Sequence, residues 1–362
     1  MAFRVRLLAL ALVSALIAVG CGTATEAASS SAVDLALLDA EFDDWAAPVP
    51  GGAVGLVRFA DGVTHLVDAG EDADTGEPLS ASDDRVRVGS ISKTFTAVLV
   101  LQMVEAGDVA LDEPVATYID GVPFDPTITV ADLLGHRSGI PNYTESAGFL
   151  TRIIESPEVV AEPEDIFSFV DGEQDFAPGA QFSYSNTNFI VAGELIEAVT
   201  GQPLDDVLQE RIAEPLGLTQ TGFDDGTFDD VASGYSAITP EGSSGARDYT
   251  SIATGAWAAG SLVTTVSELA TFIDAVFVGD FLEPDSVAQM IAGLDAGAEY
   301  GLGAHPGPDF GVGHGGAIIG FNSVAQIDLE TGAIVIVSVN NDGRRADVAS
   351  SVLADFAGLS AS

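Results

Sequence analysis

The chain has 362 residues, 47% hydrophobic and 19% charged, enough apolar material for one large core or two ordinary ones, which excludes a disordered or fibrous chain. Lysine and arginine number 12 against 55 aspartates and glutamates, for a formal net charge of −43. So acidic a surface repels polyanions, which excludes a nucleic-acid partner and binding to an anionic membrane face.

At the N-terminus, Arg4 and Arg6 precede the apolar run LLALALVSALIAV, the order of a secretory signal over residues 1–20 and a run too short to span a bilayer comfortably. It closes on IAVGC, where Cys21 is the only cysteine, so no intramolecular disulfide can form. The thiol stands where a bacterial lipoprotein signal peptidase leaves a lipid-modified cysteine, although Ala18 occupies the usual leucine position. The expectation is an exported protein of the cell envelope, lipid-anchored through Cys21 at the outer face of the cytoplasmic membrane, with residues 21–32 as tether and no other membrane contact. The alternative is ordinary signal cleavage beside an incidental cysteine.

A catalytic body is expected over residues 33–362. AVDLALLDAEFDDWA has helical spacing, and GGAVGLVRFA and VTHLVDAG flank Asp61-Gly62, a two-residue hairpin signal. Near the other end, SVAQIDL and AIVIVSVNN flank ETG as a second hairpin, and RADVASSVLADFAG reads as a helix stopped by Gly358. Between them, from about 112 to 300, the segments TVADLLGHRSGIP, TNFIVAGELIEAVTG and QPLDDVLQERIAEPLG are mostly helical. The fold class is α/β: an antiparallel sheet built from both chain ends, flanked by helices and interrupted by a mostly helical insertion. The acidic clusters EDADTGE and DDGTFDD do not fit a calcium loop and read as solvated surface.

The stretch RVRVGSISKTFTAVLVLQMVEAG contains Lys93, the only lysine of the chain, three residues after Ser90. In a helix starting at about Ser90, positions three apart lie side by side, while Phe95, Val98, Leu99 and Met103 bury other faces. A serine hydroxyl becomes nucleophilic when a neighbouring base takes its proton, and a desolvated lysine can be that base. Tyr184 and Asn186 follow in PGAQFSYSNTNF, and His314 opens GVGHGGAIIGFNS just before the last strands.

With these three motifs in this order, the chain resembles the serine β-lactamase and penicillin-recognising family, especially class C β-lactamases and serine-type D-alanyl-D-alanine carboxypeptidases. The resemblance also takes in ITVADLLGHRSGIPNY, GAWAAGSLVTTVSELATF and YGLGAHP, and so runs from about residue 50 to the C-terminus. It implies a β-lactamase/transpeptidase-like fold and a serine hydrolase that needs no cofactor or metal. Ser90 would be the acylated nucleophile, Lys93 its proton partner and Tyr184 the proton shuttle to leaving group and water. Asn186 would hydrogen-bond the substrate amide, His314 and Gly316 would line the substrate, and the N–H groups of Ser90 and Ala317 would hold the oxyanion. Tyr-Ser-Asn in place of Ser-Asp-Asn points to the tyrosine-dependent branch.

Two departures matter. HGG puts Gly315 where the family usually carries a hydroxyl that helps bind a substrate carboxylate, and YGLGAHP lacks an arginine found in some carboxypeptidase relatives, though His305 is present. The leading expectation is a D-Ala-D-Ala carboxypeptidase acting on peptidoglycan peptides. A β-lactamase or carboxylesterase of the same fold is the alternative, and a non-catalytic penicillin-binding or surface-interaction lipoprotein is an alternative of another class. The substrates in view are small peptides, β-lactams or esters.

Trp257 either lines the cleft or is a core aromatic. Gly311, Gly313 and Gly316 spell a dinucleotide fingerprint, but strands rather than a phosphate-cradling helix are expected after them. His65 and His136 lack partners at metal-ligand spacing and are expected to be structural.

Overall fold

The computed structural model describes residues 28–47, 50–121, 123–155, 163–170, 173–224, 228, 230–236 and 255–359. The expected signal sequence, residues 1–20, and Cys21 lie outside the described residues.

In chain order, α1 (Leu35–Ala46) leads into the hairpin β1 (Ala53–Arg58) and β2 (Thr64–Ala69), and β3 (Val86–Arg87) and a 3-10 turn at Gly89–Ile91 deliver the chain to α2 (Ser92–Ala106). A helical stretch follows: α3 (Val130–Leu134), α4 (Ala147–Glu155), α5 (Pro163–Phe167), α6 (Asn186–Thr200), α7 (Leu204–Leu208) and α8 (Glu214–Leu216). Then come β4 (Gly222–Phe223), α9 (Trp257–Gly260), β5 (Leu262–Thr264), α10 (Val266–Phe277) and α11 (Pro284–Met290). The chain returns through β6 (His305–Pro306), β7 (Val312–Ile318), β8 (Phe321–Ile327) and β9 (Ile334–Val339) and ends in α12 (Ala346–Phe356).

The main sheet has the order β2-β1-β9-β8-β7-β6, antiparallel throughout. Its central seam joins the chain ends, with Ala53 opposite Val339 and Arg58 opposite Ile334. Strand β9, IVIVSV, is buried along its whole length because both faces are covered. Successive side chains point to opposite faces, so Ile334 and Ile336 enter the core shared with α2 and α10. Val335, Val337 and Val339 pack beneath α1 and α12.

The expected hairpins form, with one change. The first turn is not the two-residue type: Phe59 N–H bonds to Val63 O and Gly62 N–H to Phe59 O, which leaves Gly62 at φ +81°. That is the longer loop ending in a left-handed glycine, the next most common hairpin solution. The expected tether also ends early. Residues 28–30 are tied to the body, because the hydroxyls of Ser29 and Ser30 donate to Asp61 at 2.7 and 2.8 Å and Ala28 N–H donates to Ala357 O.

Among the described residues of 112–300 the regular elements are mostly helices, and this stretch also contributes β4 and β5, which pair with β3 in a second small sheet ordered β3-β5-β4. Strands of two or three residues carry no periodicity to read. Asp224, in a cluster expected to be solvated, is buried and holds Arg87 of β3 at 2.9 Å. The sequence pattern of an acidic run does not show that one carboxylate has a buried cation waiting for it. Among the described residues, no helix is long and apolar enough to cross a membrane.

Helix α2 is buried nearly all round, and its Phe95 stacks on Phe272 of α10. Phe95→Ala should therefore cost about 3–5 kcal/mol, read as a lower denaturant midpoint with an unchanged slope. An unchanged midpoint would show that this contact does not hold α2 in place.

Candidate active site

The site begins where β3 turns into α2. Gly89 sits at φ +54°, a conformation open to glycine at little cost, and bends the strand into the 3-10 turn that carries Ser90. Ser92 locks that bend: its hydroxyl donates to Gly89 O at 2.6 Å and accepts from Leu262 N–H at 3.0 Å. Lys93 follows on the next turn and is fully buried.

The Lys93 amine has three polar neighbours: Ser90 Oγ at 3.0 Å, Asn186 Oδ1 at 2.7 Å and Ala259 O at 2.5 Å. None is a carboxylate, so burial alone acts on its charge and pushes the pKa well below the ordinary lysine value. The two carbonyl oxygens only accept hydrogen bonds. A neutral amine gives them its two N–H groups and turns its lone pair toward the Ser90 hydroxyl. The rings of Tyr184 and Phe189 lie 5.2 and 5.7 Å from Nζ, close enough to stabilise a transient ammonium.

Tyr184 stands in the extended segment before α6 and shares the wall of one cavity with Ser90, and burial raises its pKa above the ordinary phenol value. Amine and phenol are thus pushed apart: the amine toward the free base, the phenol toward its protonated form. Opposed shifts in two titratable groups beside one hydroxyl are what an acid and base pair would require.

Asn186, the first residue of α6, is placed differently from the expected substrate contact. Its Oδ1 takes Lys93, its Nδ2 donates to Asn142 Oδ1 and Thr144 Oγ1, each at 3.2 Å, and it does not line the cavity. It belongs to the cradle of the lysine. Trp257 resolves as a core aromatic: it is absent from the cavity wall and packs on α6, where a Cβ at Gly193 would come within 2.6 Å of its ring.

Strand β7 runs against the Ser90 turn. A Cβ on Gly316 would lie 1.8 Å from Val88 O and 3.1 Å from Ser90 N, and a Cβ on Gly89 would lie 2.8 Å from Ala317 N. Glycine at both positions lets the two backbones approach, which brings the Ser90 and Ala317 amide nitrogens to one gap. Gly315 N–H donates outward to His305 Nε2 at 3.0 Å, so by strand alternation Ala317 N–H points to that same edge. The apparent dinucleotide glycines lie in and just before this strand, and β8 follows instead of a helix.

The gap opens into a cavity of about 670 Å³ whose wall includes Ser90, Tyr184, His305, His314, Gly316 and Ala317. His314 offers no cation there. Its Nδ1–H is held by Gly315 O, its Nε2 accepts from Tyr300 Oη at 2.8 Å, and burial drives its pKa well down. His136 is buried among Tyr184, Phe189 and Tyr300, with Nδ1 accepting from Ser185 N–H, and His65 pairs with Asp39 of α1 at 2.6 Å. Both are structural, as expected.

Four contributors escaped sequence reasoning: Asn142, Thr144, Tyr300 and the Ala259 carbonyl. The first three lie in stretches that carry the resemblance, PNYT and YGLG, without a role attached. A backbone carbonyl at the end of a short helix has no sequence signal at all.

A half-buried serine beside a buried lysine, between a helical region and the edge of an antiparallel sheet, is the arrangement that the sequence resemblance to the penicillin-recognising family implies. The chain belongs to the beta-lactamase family: the family model Beta-lactamase matches residues 39–357. It is 34% identical over 180 residues to Penicillin-binding protein 4 of Amycolatopsis lactamdurans, covering 48% of this chain and 44% of that protein. It is 31% identical over 313 residues to a D-aminopeptidase of Brucella anthropi, covering 83% and 58%. These relatives are longer, and the chain spans about half of each. Among solved structures, a D-stereospecific amidohydrolase from Streptomyces sp. matches with TM-score 0.75, 31% identity and coverage of 90% and 99%. The D-amino acid amidase of Ochrobactrum anthropi SV3, complexed with L-phenylalanine amide, matches with TM-score 0.77, 26% identity and coverage of 89% and 97%.

The buried amine has a signature in stability. An unfolded lysine is protonated below its ordinary value of 10.5, whereas folded Lys93 has a lowered pKa, so folding releases a proton between the two values. Lys93 therefore costs stability at neutral pH, and the cost shrinks as pH rises toward 10.5. The stability difference between Lys93→Met and wild type should favour the variant more at pH 7 than at pH 10, narrowing as pH rises toward 10.5. A difference that does not vary with pH would mean that the folded amine keeps its proton.

Proposed function

We propose that the protein hydrolyses amides or esters of D-amino acids through an acyl-enzyme on Ser90. The observation that carries this reading is the uncharged setting of Lys93, whose amine meets two carbonyl-type acceptors and the Ser90 hydroxyl. The D-specific names of the Brucella, Streptomyces and Ochrobactrum relatives support the substrate class.

In the reaction, the substrate carbonyl enters the gap between Ser90 and Ala317. Lys93 takes the Ser90 proton as Oγ bonds to the carbonyl carbon, and the carbonyl electron pair moves to oxygen, facing the two backbone N–H groups. When the tetrahedral centre collapses, the bond to the leaving nitrogen or oxygen breaks. Tyr184 hands that atom a proton and takes in its place the one that Lys93 removed from Ser90, whose ester oxygen no longer carries a proton. Water then enters by the reverse path and releases the acid.

A D-Ala-D-Ala carboxypeptidase, the leading expectation from sequence, needs a cation for the terminal carboxylate. Among the described residues on the cavity wall, Arg345 is already clasped by Asp347, and His305 and His314 are shifted toward neutrality. Substrates without that carboxylate are favoured, and the same argument places β-lactams second. We also propose export and a lipid on Cys21, which would keep the hydrolase at the cell envelope.

Ser90→Ala should abolish turnover of D-amino acid p-nitroanilides and short p-nitrophenyl esters, as well as labelling by a fluorophosphonate. Lys93→Arg keeps the charge but loses the base, and should slow acylation by a factor of about 10² or more. A near-wild-type acylation rate in the arginine variant would remove Lys93 from the mechanism. Faster turnover of D-Ala-D-Ala peptides than of D-amino acid amides would favour the carboxypeptidase. In a bacterial host, the wild type should partition with membranes and Cys21→Ser should not. Mass spectrometry finding Cys21 unmodified would end the anchoring proposal.

A further inference from the structure

Strand β6 is only two residues long, pairing His305 with Gly313 and Pro306 with Val312. Beyond Gly313 the outer edge of β7 therefore has no strand beside it, although this is the edge that carries Ala317 N–H into the reaction gap. Up to Gly316, where β7 meets the Ser90 turn, that edge is held by no strand, and a displacement of about 1 Å at a reacting group can cost about 10²-fold in rate.

One side chain fills the place of the missing strand. His305 Nε2 accepts Gly315 N–H at 3.0 Å, while His305 Nδ1–H donates to Pro306 O at 2.7 Å. The second bond fixes the tautomer, so Nε2 can only accept. The imidazole thus extends the ladder by one rung, tied to β6 at one nitrogen and β7 at the other. The next donor on that edge, two residues on, is Ala317 N–H.

The ring is itself held in place by the lysine helix. Gly303, at φ +76°, lies so close to α2 that a Cβ there would come 2.3 Å from Ala97 Cβ and 3.1 Å from Lys93 O, and Thr94 Oγ1 donates to Gly303 O at 2.8 Å. The loop that carries His305 is therefore fastened to the helix that carries Lys93. Gly315 itself has no side chain to do the same work, and a Cβ there would meet no atom nearer than 3.8 Å, so between Gly313 and the contact of Gly316 with Val88 O the edge is tied by His305.

We propose that His305 is a positioning residue that holds the edge of β7 so that Ala317 N–H meets the developing oxyanion. This rests on the acyl-enzyme reading above. The role needs an acceptor at Nε2, not an imidazole as such.

Glutamine can place an acceptor where Nε2 lies. Asparagine reaches Pro306 but not Gly315, and alanine reaches neither. With a chromogenic D-amino acid amide, His305→Asn and His305→Ala should lower kcat about tenfold or more with KM within about threefold, because the lost alignment is felt in the transition state. His305→Gln should recover most of that loss. The Gly315 amide proton, followed by NMR, should move upfield in the Asn and Ala variants and stay near its wild-type position in Gln. Should Asn or Ala keep kcat within twofold of wild type, or should Gln prove as impaired as Asn, His305 does not position the edge. The Asn and Gln pair decides this even if the alanine variant fails to fold. Ser90→Ala run in parallel separates the two ideas: residual wild-type turnover there overturns the acyl-enzyme reading itself, whatever the His305 variants do.

Discussion

The site depends on the removal of one lysine amine from water. A protonated amine cannot take a proton from serine, and an exposed amine is protonated at neutral pH. The protein meets this constraint by enclosing Lys93 with acceptors and rings while keeping carboxylates away from it. In a chain of charge −43 that exclusion is a strong requirement. The acidic residues are spent on the surface and in buried pairs such as Arg87–Asp224, which fastens β3 and β4 ahead of the Ser90 turn.

A second constraint is the close approach of backbone to backbone. Oxyanion donors are useful only if they are fixed before the reaction, and in the proposed mechanism they come from two distant pieces of chain, the Ser90 turn and β7. Gly89 and Gly316 permit contact distances that no Cβ would allow. Gly315 differs from them, because space surrounds it. Its lack of a side chain is a matter of what the cavity admits and leaves His305 to hold the strand edge.

The architecture follows from where these pieces must meet. The main sheet takes β1 and β2 from the start of the body and β6 to β9 from its end, so the strand that carries Ala317 is fixed by a core that both ends build. The intervening helices supply the other wall: α6 brings Asn186, and α9 brings the Ala259 carbonyl.

Much of this was legible in the sequence because it is local or periodic. The apolar strand run IVIVSV, the turn glycines Gly62 and Gly332, the stop at Gly358 and the i, i+3 spacing of Ser90 and Lys93 all act within a few residues of themselves. The single lysine marked its own importance. What the sequence could not decide is what depends on partners far along the chain. That Asn186 cradles Lys93 instead of facing the cavity, that Trp257 packs into α6, that Asp224 is buried and that a backbone carbonyl at 259 completes the amine's shell were set only when the elements packed. The reason is physical: a residue's type sets which bonds it can make, whereas burial and distance, which decide which bonds it does make and which proton it keeps, exist only in the folded chain.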